Sequence, residues 1–199
     1  MFFNIICIFL SVGAFGKVFR VRSRSNQHQF ALKLIKKSKH STEHKESDIF
    51  EMIDTHPYLV ELHQIYETKR YDCLLLSLCS AGSLHEISIN RHWNSGKKTR
   101  QVYNEQTARV LLAELILAIE HIHNAGFIWR DLKPDNIMLN SLGHIQIIDL
   151  GLAQHKDNVT VEIVGADGFR SPEMLKGDKI SQSSDIFNLG VYCTHVIKR

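Results

Sequence analysis

Residues 127–139, FIWRDLKPDNIML, place acidic, basic and amide side chains between apolar residues. Charged groups are costly to bury, so a charged run drawn toward the core needs a chemical reason. Asp131 and Asn136 are five residues apart, and Asp149 follows Asp131 by eighteen residues, after a β-like run. Two carboxylates and an amide oxygen can converge on Mg²⁺ and on a phosphoryl acceptor. The spacing therefore predicts phosphoryl-transfer chemistry.

Five short motifs along the chain resemble those of protein kinases, in the order of that family. They are SVGAFGKV at 11–18, FALK at 30–33, WRDLKPDN at 129–136, DLG at 149–151 and SPE at 171–173. Five motifs in family order are far more specific than a single glycine motif. The resemblance covers nearly the whole chain. It implies an α+β, bilobal protein-kinase-like fold, with a small antiparallel β-sheet lobe that contains one helix and a mainly helical second lobe.

The resemblance implies a role for each polar residue of the two central motifs. Asp131 would orient a substrate hydroxyl and accept its proton, and Lys133 would neutralise the γ-phosphoryl group in transfer. Asn136 and Asp149 would supply oxygens to Mg²⁺. Because LKP at 132–134 is similar to Ser/Thr kinases, we expect transfer from Mg-ATP to Ser or Thr hydroxyls of protein substrates.

The upstream motifs imply how the phosphates of ATP are held. Lys33 would bind the α and β phosphates and be fixed by a carboxylate of the first helix, for which Glu46 and Glu51 are both candidates. Glu46 is preferred because it shares the helical face of the neighbouring apolar residues. Gly13 and Gly16 would let backbone N–H groups close over the phosphates, while Ser11 replaces the first glycine of the motif.

The resemblance also assigns the residues around the adenine ring. Two strand residues and one residue near the catalytic motif would pack against the two faces of the ring. Backbone groups near the end of the fifth strand would hydrogen-bond to its edge, and Leu76 would lie behind it. The sandwiching residues are Val18, Ala31 and Met138, and the edge contacts are the Ser77 carbonyl and the Cys79 N–H.

Two positions bear on regulation and activity. Glu162 stands where related kinases carry an activation-loop Thr, so it could give Arg130 a permanent negative partner, with Thr160 as the alternative regulatory site. Ala166 replaces a Thr whose hydroxyl usually bonds the catalytic Asp and Lys. A pseudokinase that binds nucleotide or partners without transfer therefore stays as the alternative, and a small-molecule phosphotransferase of kinase-like fold is a weaker one because SPE is present.

The subgroup resembled is the AGC group of Ser/Thr kinases. Trp129 stands where most kinases have His and this group often has Tyr, and HPYLVEL at 56–62 is similar to the group. DLGLA at 149–153 and GADGFRSPEML at 165–175 resemble its G-protein-coupled-receptor-kinase branch.

The elements that must position these residues follow from hydrophobic periodicity. Strands are predicted at 3–12, 17–24, 29–37, 62–68 and 72–78, with a helix around SDIFEMI after a Ser41/Thr42 start signal. NEQTARVLLAELILAIEHIH, residues 104–123, is a long amphipathic helix, and residues 90–101 form a polar loop. We therefore divide the chain into an ATP-binding lobe (1–78), a hinge (79–82) and a partial catalytic lobe (83–199).

Composition excludes several classes of function. The chain has 199 residues, 44% of them hydrophobic, and a formal charge of +3 with scattered basic residues, which does not favour a nucleic-acid partner. Its four cysteines show no CxxC or metal spacing, which predicts free thiols in a reducing, cytoplasmic compartment. The apolar start at 1–12 is interpreted as a buried strand rather than a signal peptide or a membrane span.

The last motif predicts that the chain holds an incomplete catalytic domain. SSDIFNLGV, residues 183–191, resembles the start of a long central helix whose Asp185 braces the catalytic loop. In the family, further helices follow this one and cover its apolar residues; without them, those residues would be exposed. Glu173 would also lack its usual downstream Arg partner. The uncovered residues should include some of Ile186, Phe187, Leu189, Val191 and Val196.

Overall fold

A computed structural model describes residues 8–13, 16–37, 45–87 and 103–196. The α+β class predicted from the sequence is confirmed. A five-stranded antiparallel sheet has the strand order β1-β2-β3-β5-β4, and it precedes a mainly helical part that holds two small two-stranded sheets. The large sheet carries the glycine and lysine motifs, the catalytic and DLG motifs lie in segments between strands of the small sheets, and SPE lies at the start of a helix.

The strands of the large sheet follow the β-branched and aromatic runs of the sequence. They are β1 (Ile8–Gly13), β2 (Gly16–Arg22), β3 (Gln29–Lys36), β4 (Leu62–Glu67) and β5 (Tyr71–Ser77). Within this sheet Lys33 pairs with Val18 of β2 and with Leu74 of β5. Lys33 therefore lies on the middle strand, fixed in register from both sides. The predicted strand residues 3–7 lie outside the described ranges.

Helix α1 (Glu46–Met52) connects β3 to β4 and turns one face inward. Glu46, Ser47 and Ile49 are buried, while Glu51 is exposed. The expected start signal at Ser41/Thr42 lies outside the described residues. Lys45 is the N-cap of the helix, and its backbone N–H donates to Asp48 Oδ2 at 3.2 Å. The helix thus begins directly at Glu46, which places this carboxylate in its first turn.

The predicted amphipathic helix is α2 (Glu105–Asn124). It begins at the N-cap Asn104, whose side chain accepts a hydrogen bond from Thr107 N at 2.7 Å. The predicted apolar stripe is buried against the main core and consists of Ala108, Leu111, Leu112, Leu115, Ile119 and Ile122. The predicted polar loop at 90–101 lies outside the described residues.

Two short antiparallel strand pairings set the catalytic segment beside the DLG segment. Strand β6 (Phe127–Ile128) pairs antiparallel with β9 (Gln154–His155), and β7 (Ile137–Leu139) pairs with β8 (Ile145–Ile147). A 3₁₀ turn (Pro134–Asn136) precedes β7. As a result, residues 129–136 and 148–153 are held next to each other by strands at both ends.

Backbone hydrogen bonds join the sheet part to the helical part. Ile147 N donates to Tyr58 O and Val60 N donates to Ile147 O, each at 2.9 Å, and Leu139 N donates to Gly82 O at 3.0 Å. The first two tie the segment after α1 to β8, and the third ties the segment after β5 to β7. The two parts are therefore bonded at two separate places.

The described chain ends with α3 (Pro172–Lys176) and α4 (Gln182–Val196). On α4, Ile186 and Phe187 are 55% and 43% exposed, whereas Leu189 is buried and Val191 is partly buried. Part of the expected apolar surface is thus uncovered on this helix; the Val196 side chain lies outside the described set. Among the described segments, no helix has both the length and the apolar character needed to cross a membrane.

Candidate active site

The catalytic segment buries Asp131 and gives it two donors. Asp131 Oδ2 accepts hydrogen bonds from Lys133 Nζ and Asn136 Nδ2, each at 2.7 Å, and the Asn136 amide also donates to Asp131 O at 3.0 Å. The Asp131 residue is 3% exposed. These bonds form because the 3₁₀ turn that starts at Pro134 folds Asn136 back toward Asp131. One carboxylate oxygen is thereby fixed by the protein itself.

The second oxygen of the same carboxylate, Asp131 Oδ1, is buried and accepts no hydrogen bond from the described residues. Position 166, where related kinases place a hydroxyl, is Ala here and offers none. The neighbouring Gly165 packs closely on the catalytic segment: a Cβ there would lie 2.7 Å from Arg130 O. Asp131 Oδ1 is therefore a buried acceptor without a donor among the described residues.

Burial raises the pKa of Asp131, opposed by the hydrogen bond and charge of Lys133 and by the Asn136 amide, while the charge of Asp149 raises it further. The carboxylate is thus a stronger base than an exposed aspartate.

A three-residue charge cluster connects the sheet to the DLG segment. Lys33 Nζ lies 2.6 Å from Glu46 Oε2, 2.7 Å from Glu46 Oε1 and 2.9 Å from Asp149 Oδ1. The Lys33 and Glu46 side chains are only 6% and 3% exposed, and that of Asp149 is 21% exposed. Of the two candidate partners for Lys33, the structure places Glu46 against it, whereas Glu51 faces solvent.

The protonation of this cluster follows from its geometry. Burial is the largest influence on Lys33 and would lower its pKa, but the charges of Glu46 and Asp149 outweigh it and raise the pKa above the ordinary value. Burial raises the pKa of Glu46, opposed by the charge of Lys33. Lys33 is therefore a firmly charged cation between two acids, and it is suited to bind phosphate oxygens.

Two backbone N–H groups of the DLG turn donate to carboxylates and so fix the turn. Gly151 N donates to Asp149 Oδ1 at 2.8 Å, and Leu150 N donates to Glu46 Oε1 at 3.2 Å. Glu46 therefore holds both Lys33 and the turn that carries Asp149. Asn136 uses its Nδ2 on Asp131, and its amide oxygen and the Asp149 carboxylate are hard oxygens of the kind that could hold Mg²⁺.

The residues predicted around adenine come together in an apolar cluster between the large sheet and β7. Leu76 and Cys79 are buried in it, and Ala31 and Met138 pack against it while partly exposed. Val18 lies on β2 opposite Lys33 and is also partly exposed. Ser77 ends β5, and its N–H donates to Glu61 O at 3.0 Å. Four of the predicted residues, Ala31, Leu76, Cys79 and Met138, therefore share one apolar cluster.

The glycine motif forms the β1–β2 hairpin, in which Gly13 pairs with Gly16 and Ser11 with Val18. At Gly16 the structure supplies a reason that the sequence did not: a Cβ would lie 2.2 Å from Leu34 O on β3. Glycine is required there by the approach of the neighbouring strand. Residues 14 and 15, the tip of the hairpin, lie outside the described ranges.

Arg130, expected from the sequence to pair with Glu162, donates to a backbone carbonyl in the described structure, and its pairing with Glu162 or Thr160 stays a prediction. Arg130 is 2% exposed and turns inward, where its Nε donates to Leu152 O at 2.7 Å, while Glu162 is exposed. Thr160 also faces another partner: its N–H donates to Gln154 Oε1 at 3.0 Å.

Helix α4 braces the catalytic segment through Asp185, as the resemblance implied. Asp185 Oδ2 accepts from Trp129 N and Oδ1 accepts from Arg130 N, each at 2.8 Å. Asp185 also contacts His123 Nε2 at 2.8 Å, a partner that the sequence did not reveal. The three contacts hold Arg130 at a φ of 65°, in the left-handed region that non-glycine residues seldom adopt.

Two further contacts at the site escaped sequence analysis. Trp129 Nε1 donates to Asp149 O at 2.8 Å, and the buried Ser184 hydroxyl donates to Glu173 Oε1. Glu173 was expected to lack its Arg partner, and the serine satisfies it instead. Both contacts join residues that no local pattern relates.

A protein-family model described as protein kinase domain matches residues 9–199. Curated relatives include serine/threonine-protein kinase PEPKR2 of Arabidopsis thaliana, at 35% identity over 90% of this chain and 36% of the relative. G protein-coupled receptor kinase 1 of Caenorhabditis elegans is 32% identical over 95% of this chain and 29% of its own length. Ribosomal protein S6 kinase alpha-6 of Danio rerio is 31% identical over 92% and 25%. The chain thus spans well under half the length of these relatives.

Proposed function

The chain belongs to the protein kinase family, and from that premise we propose that the protein to which it belongs transfers the γ-phosphoryl group of ATP to Ser or Thr hydroxyls of protein substrates. The family generally uses ATP and Mg²⁺. Matches to a ribosomal protein S6 kinase and a G protein-coupled receptor kinase agree with the AGC-like resemblance of the sequence. The named relatives do not favour a pseudokinase.

The observation that carries the proposal is that two acidic residues in different surroundings lie on segments that the β6–β9 and β7–β8 pairings hold side by side. Asp131 keeps one buried oxygen without a hydrogen-bond donor from the described chain, and Asp149 is partly exposed beside the buried pair of Lys33 and Glu46. We interpret Asp131 as the base and Asp149, which contacts the fixed cation Lys33, as the metal-binding acid. Phosphoryl transfer requires this combination because its catalysis consists of positioning and charge stabilisation.

The roles of the chain's residues follow from this geometry. Asp131 Oδ1 would orient the substrate hydroxyl and take its proton, while Oδ2 stays bonded to Lys133 and Asn136. Lys133, 27% exposed at its side chain, would balance the charge of the moving phosphoryl group. Lys33 would hold the non-transferred phosphates. Asn136 and Asp149 would hold Mg²⁺, which supplies neutralisation of phosphate charge when bound.

The adenine ring would lie against the apolar cluster of Ala31, Leu76, Cys79 and Met138. Ala31 and Met138 are partly exposed there and would give up contact with water to the ring, with Val18 on the neighbouring strand. The backbone of Ser77 and Cys79 would provide polar contacts at the edge of the ring. We propose that the strand pair β1–β2 lies above the phosphates, with Ser11, Gly13 and Gly16 as the residues that contact them.

We propose a division into an ATP-binding lobe at 1–78, a hinge at 79–82 and a catalytic lobe from residue 83 onward. We also propose a reducing, cytoplasmic location, because Cys73, Cys79 and Cys193 are free thiols and ATP is an intracellular substrate.

The test is incorporation of radiolabelled phosphate from Mg-ATP into a peptide library that contains Ser, Thr or Tyr as the acceptor. Label on Ser and Thr peptides that disappears in Asp149→Ala supports the proposal. Nucleotide-induced thermal stabilisation without any transfer would instead support the pseudokinase alternative.

A further inference from the structure

A cavity of about 770 Å³ lies between the end of helix α1 and strand β4. We call it the α1–β4 cavity. Its walls are the segment 53–57 that follows α1, the first four residues of β4, Ser77 at the end of β5 and Gln146 of β8. Ser77 is the one residue proposed for ATP binding that lines it, and the Ser77 hydroxyl lies 2.8 Å from His63 Nε2, another lining residue. The cavity is therefore a feature separate from the charge cluster and the catalytic segment.

Hydrogen bonds to other elements hold the wall that follows α1. His121 Nε2 of α2 donates to Asp54 O at 2.7 Å, and Gln146 Nε2 of β8 donates to Pro57 O at 2.5 Å. The imidazole ring of His121 also stacks on that of His56, with ring centroids 4.6 Å apart. This wall is anchored to α2 and to β8, so a ligand would not have to order it, and binding would avoid that entropic cost.

The inner side of the cavity is apolar. Ile53, Leu59 and Val60 line it and are buried, with 3–6% of each residue exposed. Leu62 and Ile65 of β4 also line it and are only partly buried, and β4 is an edge strand of the large sheet. An aliphatic side chain placed there would remove apolar surface of both partners from water, which is favourable.

The outer side of the cavity is acidic. Glu51, Asp54 and Glu61 line it and are exposed, and none of its described lining residues is Lys or Arg. Burial and the charge of His121 lower the pKa of His56, so this ring stays neutral near neutral pH and does not offset the three carboxylates. The chain as a whole has a formal charge of +3, so the cavity has a sign opposite to that of the protein.

The placement of the three carboxylates favours an extended cation over a single ion. Glu51 belongs to α1, Asp54 to the segment after it, and Glu61 precedes β4. Within the described ranges, no group of three His, Cys, Asp or Glu side chains is placed to hold a metal ion. A peptide with several basic side chains meets such dispersed carboxylates, and Arg binds each of them with paired hydrogen bonds.

We propose that the α1–β4 cavity is a docking site for a cationic peptide segment of a partner protein, with an aliphatic side chain on the apolar side and Arg or Lys side chains at the three carboxylates. This inference goes beyond the proposed function and does not depend on phosphoryl transfer. A purely electrostatic attraction would need no apolar contact, and a purely apolar contact would not discriminate between basic and acidic peptides. The proposal requires both.

The test uses fluorescence anisotropy with the whole protein to which the chain belongs. The probe is a fluorescein-labelled hexapeptide of Arg and Leu, which has no hydroxyl that could be phosphorylated. We expect saturable binding that weakens as NaCl rises from about 50 to about 300 mM, because salt screens exposed charges. Replacing Leu by Asn in the peptide should weaken binding at least about tenfold, the scale of losing buried Leu side chains, and replacing Arg by Glu should abolish binding. Equal binding by either altered peptide would overturn the proposal.

Two double variants locate the binding site. Asp54→Asn with Glu61→Gln removes two exposed carboxylates of the cavity, and Asp157→Asn with Asp178→Asn removes two exposed carboxylates that do not line it. The first variant should raise the Kd of the Arg–Leu peptide at least about threefold, the scale of two exposed ion pairs, and the second should leave the Kd as in the wild type. Equal effects, or a larger effect of the second variant, would contradict docking in the cavity.

Photocrosslinking provides a measurement that needs no variant of the protein. A benzophenone amino acid replaces one Leu of the peptide, and the crosslinked residue is identified by mass spectrometry after irradiation. The proposal predicts adducts within residues 50–65, which supply most of the cavity lining. Adducts found only in other parts of the chain would overturn it.

Discussion

Replacing Glu46 by glutamine tests the buried charge cluster, because the change removes one charge while keeping the shape of the side chain. In the structure, Lys33 Nζ contacts both Glu46 oxygens, at 2.6 and 2.7 Å, and Asp149 Oδ1 at 2.9 Å. Removing one partner of a buried ion pair typically costs about 3–5 kcal/mol. Here Asp149 remains as a partner for Lys33, so we expect a loss of about 2–3 kcal/mol, below that range.

The substitution should also weaken ATP binding. With the charge of Glu46 gone, Lys33 is drawn toward Asp149 alone and away from the position between the two acids. The hydrogen bond from Leu150 N can be kept by the glutamine oxygen, so the DLG turn itself should persist. We therefore expect a higher KM for ATP with a smaller change in kcat.

The assay is urea unfolding followed by tryptophan fluorescence, with Glu51→Gln as the matched control. Glu51 lies on the same helix but is exposed, so its substitution should change the unfolding free energy by no more than about 0.5 kcal/mol. Equal midpoints and m-values for Glu46→Gln, Glu51→Gln and the wild type would refute the reasoning about the cluster.

Three further predictions concern the pKa of Asp131, the close strand packing at Gly16 and the contact between Ser184 and Glu173. Because burial raises the pKa of Asp131, kcat should fall with decreasing pH at a pH above the ordinary aspartate range of about 3.9, and an acid limb at or below that range in a pH–rate profile would contradict this. Gly16→Ala should destabilise the protein by about 1–3 kcal/mol in thermal unfolding, because its Cβ would lie 2.2 Å from Leu34 O, whereas Gly190→Ala, with open space around it, should be neutral or stabilising. Ser184→Ala should cost about 1–2 kcal/mol by leaving Glu173 without its donor, and an effect no larger than that of the exposed Ser183→Ala would argue against the contact.

The elements of the fold were predictable where periodicity was strong. The apolar stripe of 104–123 and the β-branched runs at 17–24, 29–37 and 72–78 gave the helix and strands that the structure has within one or two residues. The polar residues of the site were also predictable, because their spacing within residues 131–149 is short and specific. Their proximity in the fold follows from the short strands at both ends of each segment.

The contacts that the sequence did not reveal join residues far apart in the chain. Ser184 reaches Glu173 across eleven residues, and His123 reaches Asp185 across 62. The inward bond of Arg130 was not predicted, because a charge pattern shows which groups can pair but not which way a buried side chain turns. Arg130 turns inward because Leu152 O offers an acceptor in the core, whereas Glu162 lies in solvent.

The central claim is that Asp131 is the base for phosphoryl transfer to Ser or Thr, and Asp131→Asn tests it most directly. Mg-ATP affinity and the rate of phosphate transfer to a Ser peptide would be measured on the same preparation of the wild type and the variant. The account predicts nearly unchanged affinity and a rate reduced by at least about a hundredfold, the usual scale for loss of a general base. A variant that binds Mg-ATP and transfers phosphate at the wild-type rate would contradict it.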